Sequence, residues 1–127
     1  MFKILKNIGI VFFGIIIGMI INMGLIYLGS VTFIPPHNFE PMNAMNWGLE
    51  YFIFPFLAHS MGTLSGAFAV SKLSKNISIV MPLIVGLYFL TGGIYMVTIL
   101  PAPKWFILLD LLFSYIPMAI LGWEISK

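Results

Sequence analysis

Apolar residues run in four blocks along this chain, and polar residues fall mostly between them. The blocks are Ile4–Tyr27, Tyr51–Leu73, Ile77–Leu100 and Trp105–Ile125. Each is close to the roughly 20 residues a helix needs to cross about 30 Å of hydrocarbon. The pattern predicts an all-α fold, a four-helix transmembrane bundle forming a single integral membrane domain over residues 1–127. Short connections predict an up-down arrangement. The one sizeable connection is the loop Ser30–Glu50, where Pro35, Pro36, Pro41 and several Asn residues predict irregular backbone.

Lysines set the expected orientation. Lys3 and Lys6 precede the first block, Lys72 and Lys75 lie between the second and third, and Lys127 ends the chain. On the other side stands Lys104 alone. Positively charged residues collect on the cytoplasmic side, so both termini are expected to be cytoplasmic and the loop 30–50 external. Trp105 and Trp123 bracket the fourth block about 27 Å apart on a helix, which suits two interfacial anchors. Pro103 suits the first position of that helix.

Composition agrees and narrows the field. The chain is 61% apolar and 8% charged, with a net charge of +2, whereas soluble domains carry about 25% charged residues. It has no cysteine, which removes disulfides, thiolate metal sites and thiol catalysis. Its six basic residues are all lysine, so bidentate phosphate recognition by Arg is absent and nucleic acid is not an expected partner. The N-terminal apolar run, about 20 residues, exceeds the 7–15 of a signal-peptide core and no A-x-A-like site follows. It reads as a retained first span.

Small residues at i, i+4 spacing mark where helices should touch. The first block carries Gly14 and Gly18, and the second carries Ala58, Gly62 and Gly66. In lipid such ridges allow close backbone approach. They predict packing of span one on span two, or a seam between copies of the chain.

Polar residues inside the spans carry the functional reading. Asp110 is the one acid well inside a span and His59 the one histidine there. An Asp at the centre of a membrane helix costs about 2.5–3.5 kcal/mol on insertion scales, so it should face the bundle interior and find a partner. Counting residues inward from the outer ends, Asp110 lies about 9 Å deep, Asn22 about 12 Å, and His59 and Thr91 about 13 Å. Each span thus contributes one polar side chain to a thin layer. Ser114 sits one turn from Asp110, Thr63 one turn from His59, and Tyr88 and Tyr95 flank Thr91. An Asp–His couple in a membrane fits a proton relay or an ion- or solute-binding centre. The competing reading is that the layer only fixes helix register through interhelical hydrogen bonds. Pro55, Pro82 and Pro117 are candidate kinks.

Other chemistry is poorly supported. His37 and His59 lack metal-site spacing, and His37, Glu40, Met42 and Met45 make a weak ligand set in the loop. Ser60 or Ser114 with His59 and Asp110 invites comparison with a hydrolytic triad, but Ser60 points about 100° from its neighbour His59 on a helix. No nucleophile elbow accompanies Ser114. No cofactor and no metal are expected, and an enzyme is the least favoured class.

Two stretches carry a resemblance: Phe56-Leu-Ala-His-Ser-Met-Gly-Thr-Leu-Ser-Gly-Ala-Phe68, and Leu100-Pro-Ala-Pro-Lys-Trp-Phe-Ile-Leu-Leu-Asp110 continuing to Tyr115-Ile-Pro-Met-Ala119. In these the chain resembles a family of small four-span bacterial membrane proteins of uncharacterised activity. The resemblance implies an inner-membrane location and no particular activity. The chain lacks the first-span glutamate of small multidrug transporters and the arginine signature of four-span fluoride channels. Two functions are therefore expected. One is a homo-oligomeric transporter or channel-like protein using Asp110 and His59. The other is a non-catalytic accessory subunit of a larger membrane complex.

Overall fold

The computed structural model describes residues 1–75 and 78–127. Its regular structure there is helical: α1 (Phe2–Thr32), α2 (Glu50–Ser74), α3 (Val80–Ile99), α4 (Lys104–Phe113) and α5 (Ile116–Ile125). Helices α1, α2, α3 and the pair α4–α5 (Lys104–Ile125) are each long and apolar enough to cross a membrane. The first residue predicted for span three, Ile77, lies outside the described residues.

The ends of the helices follow local chemistry. Helix α1 continues five residues beyond the predicted Tyr27, where Ser30 and Thr32 donate their hydroxyls back to the Tyr27 and Leu28 carbonyls. Phe33 then leaves the helix as its N–H closes on Gly29. Glu50 opens α2 and Lys72 stands in its last turn, each complementing the local helix dipole. Lys75 stops α2 in the left-handed region at φ 52°. Pro103, expected at the first helical position, stands one residue earlier as the cap of α4, where its carbonyl accepts from Phe106 and Ile107.

The fourth block, expected as one span with a candidate kink at Pro117, divides into two helices. Pro117 has no N–H for the Phe113 carbonyl, its ring crowds that carbonyl, and it disfavours helical backbone at Ile116. The helix accordingly breaks at Ser114–Tyr115, with Tyr115 at φ −116°, ψ −81°.

Helices α1 and α2 run in opposite directions in close contact. A Cβ placed on Gly18 would stand 2.6 Å from the Gly62 carbonyl oxygen and 2.7 Å from the Phe89 ring. One on Gly66 would stand 2.7 Å from the Gly14 oxygen. Only glycine permits this approach, which brings backbone against backbone as in other small-residue membrane seams. Gly14 and Gly18, with Gly29, are the buried residues of α1, while most of its large apolar side chains face outward. Ala58 is buried on α2. Helix α5 packs on the far side of α2, where a Cβ on Gly122 would meet the Leu64 oxygen at 2.5 Å.

Between these contacts, Val70, Met81, Val85 and Phe89 join Tyr115 in a buried core, flanked by Ile10, Val11 and Ile15 of α1. It runs from the Val70 and Met81 side of the bundle to its middle, where Phe89 faces Gly18. At the opposite end the loop folds over the helices. Its Ala44 N–H donates to the Pro101 carbonyl at 2.7 Å, and Trp47 Nε1–H donates to the Glu40 carbonyl at 3.0 Å. Phe39, Trp47, Phe52 and Phe106 then form a run of ring contacts 4.7–5.5 Å apart that fixes the loop to α2 and α4.

Candidate functional site

Asp110 sits at the end of α4, buried, with a side chain 8% exposed. Three side chains from two sides surround it. From α2, His59 Nδ1 lies 2.8 Å from Oδ1. From the break beyond α4, Ser114 donates its hydroxyl to Oδ1 at 2.9 Å and Tyr115 donates to Oδ2 at 3.0 Å. When Asp110 is a carboxylate it has no hydrogen to give, and Nδ1–H is then the donor of the His59 contact. Ser60 extends the network by donating to Ser114 Oγ at 3.1 Å. Ser60 and His59 thus both reach the α4–α5 side, although they stand about 100° apart around α2. The angle expected between Ser60 and His59 therefore does not keep Ser60 out of the network, because Ser114 bridges the gap.

Tyr115 was missed in the sequence, for a physical reason. Five residues past Asp110 on an unbroken helix it would lie about 140° around the axis. The Pro117 break turns it back, so its hydroxyl meets Asp110 and its ring lies over His59, 5.9 Å centre to centre and 26° from parallel. Gly93 of α3 admits that ring: a Cβ there would stand 2.6 Å from the Tyr115 hydroxyl. The legible signals were Pro117 two residues on and the Gly92-Gly93 pair.

The four-span polar layer contracts to these two sides. Thr91 is exposed on α3 and donates its hydroxyl to its own helix, at Leu87. Asn22 is half-buried against Gly62 and is not among the hydrogen-bonding partners of Asp110. Counting depth along a helix says nothing of which way a side chain faces. Thr63 donates to the His59 carbonyl. Tyr88 and Tyr95 are exposed. Among the described residues every fully buried side-chain nitrogen or oxygen has a partner, so the network is complete as it stands.

His59 is the less buried partner, 27% exposed, and it borders a cavity of about 210 Å³ beneath the loop. Asp110 lies on the same wall, and the rest of the lining is apolar, including Trp47, Phe52, Met96 and Phe106. Of the lining side chains only His59, Asp110 and Trp47 carry a nitrogen or oxygen, and Trp47 has given its N–H to Glu40. The arrangement presents one orienting carboxylate, one imidazole and a greasy chamber. No three His, Asp or Glu side chains converge among the described residues.

The chain matches no protein-family model, no curated protein and no solved structure.

Proposed function

We propose that this chain is a small multi-pass protein of a bacterial-type inner membrane, an up-down bundle with both termini cytoplasmic, acting as a homo-oligomeric transporter or channel-like protein. Asp110 and His59 hold the transported proton or small solute. The observation that carries this reading is the Asp110 cluster at the edge of a capped cavity. An ionisable group within a membrane helix that is fully hydrogen-bonded yet borders open volume fits a relay or binding centre better than it fits packing.

The lysine distribution supports the orientation, which puts the cavity in the outer half. The inner half is filled by Val70, Val85 and Phe89. That packing supports a route between protomers over one straight through a single chain. Helix α3 supports assembly: Tyr88, Thr91 and Tyr95 lie exposed on one side of it, and hydroxyls in lipid find partners on neighbouring helices. The same surface favours a second reading, an accessory subunit seated on a larger complex.

The test is proton flux in proteoliposomes, wild type against Asp110→Asn, with helicity and oligomeric state measured in parallel. Flux abolished with assembly unchanged is the expected result. Flux and assembly lost together would reduce the cluster to a packing device, and flux unchanged would remove Asp110 from the pathway.

A further inference from the structure

The cavity's size and the geometry of His59 narrow what can occupy it. An apolar cavity of about 150 Å³ takes up benzene; this one, at about 210 Å³, has room for one six-membered ring with a small substituent. Its walls offer aromatic and aliphatic surface, with Trp47, Phe52 and Phe106 on the loop side and Met96, Val97 and Leu111 among the rest. At the polar wall, Nδ1–H of His59 is committed to Asp110, so Nε2 is the ring nitrogen left to meet an occupant. A neutral imidazole accepts there from an O–H; an imidazolium donates there to a carbonyl.

A buried ammonium fits poorly. It brings three N–H donors, and without partners a buried charge is very costly. Asp110 already accepts from His59, Ser114 and Tyr115, and apolar side chains line the rest of the cavity. A single hydroxyl or carbonyl oxygen on an apolar ring needs one partner, which Nε2 supplies. We infer that the cavity binds a single benzenoid ring bearing an oxygen group, of the phenol or quinone class, with that oxygen hydrogen-bonded to His59 Nε2. The inference names the solute class for the site proposed above and rests on reading that cavity as a binding site. No redox step is part of it.

Trp47 lines the cavity and reports its occupancy. The full chain, with Trp105→Phe and Trp123→Phe to leave one indole, is placed in lipid nanodiscs and titrated with p-cresol and with toluene. Concentrations are corrected for uptake by empty discs. The two probes share ring and methyl and differ by the hydroxyl. Saturable Trp47 quenching, with p-cresol at least tenfold tighter than toluene, is expected, and His59→Leu should bring the two affinities together. Equal affinity in the wild-type protein, or no saturable quenching, would overturn the inference without any variant being needed. The two proposals fail separately: flux that depends on Asp110 with no preference for p-cresol removes the ligand class alone. A His59-dependent preference with flux indifferent to Asp110 removes transport alone.

Discussion

Toward α1, helix α2 presents Gly62 and Gly66, where an added Cβ would come within 2.7–2.8 Å of the Gly14 and Gly18 carbonyl oxygens. Toward α4 it presents His59 and Ser60, which join a polar network beside about 210 Å³ of open space. One helix thus carries a face with no spare volume and a face with a chamber. The first gains from dispersion contacts between closely packed backbones. The second gives up packing density for hydrogen bonds that hold an imidazole and a carboxylate in one orientation. Rigidity on one side lets the other keep a hole.

The sharpest way to break this contrast is to add atoms to the seam. Gly18→Val would drive a branched side chain into the Gly62 carbonyl and the Phe89 ring, and overpacking of this kind costs about 3 kcal/mol. Reversible unfolding in mild detergent should show that loss, with α1 detached from α2. Gly92 offers the control on α3, since a Cβ there meets nothing within 4 Å. Gly92→Ala should raise stability by up to about 1 kcal/mol through helix propensity. A comparable loss at both glycines would show that the seam is not special.

On the polar face the effects should be smaller in stability and larger in function. Tyr115→Phe removes one of the donors to Asp110 while keeping the ring over His59. Interhelical hydrogen bonds in membranes average about 0.6 kcal/mol, so unfolding should shift by roughly that amount. Proton flux should fall more than this stability change explains. A flux unchanged in Tyr115→Phe would assign the tyrosine to packing.

The number and extent of the apolar helices were legible because a long apolar run in a chain this poor in charge is the mark of a membrane span. Asp110 and His59 were legible as a pair because each is the lone group of its kind within a span. Their companions were harder to read. Thr91 and Asn22 matched in depth, but rotation about a helix axis is set by neighbouring helices, and low amphipathic contrast in α1, α2 and α3 left no stripe to read it from. Tyr115 was hidden because helical periodicity fails at a proline break. The cavity roof was hidden because Ala44, Phe39 and Trp47 meet α2 and the α3–α4 turn through contacts distant in sequence.

The length of α1 has a consequence for how molecules arrive. From Lys6 to the helix end at Thr32, 26 residues rise roughly 39 Å. At an ordinary tilt of about 20° roughly 37 Å of that lies along the membrane normal, against a hydrocarbon thickness of about 30 Å. In the proposed orientation the excess, about one headgroup layer, emerges at the outer surface and carries the loop with it. Phe39 and Trp47 then lie among lipid headgroups, a depth that indole rings favour, and the roof of the cavity borders the membrane instead of bulk water. Solutes would reach it after dissolving in the bilayer. Occupancy would then follow the lipid–water partition coefficient: a tenfold more lipophilic solute would stand at tenfold higher local concentration with no protein contact changed.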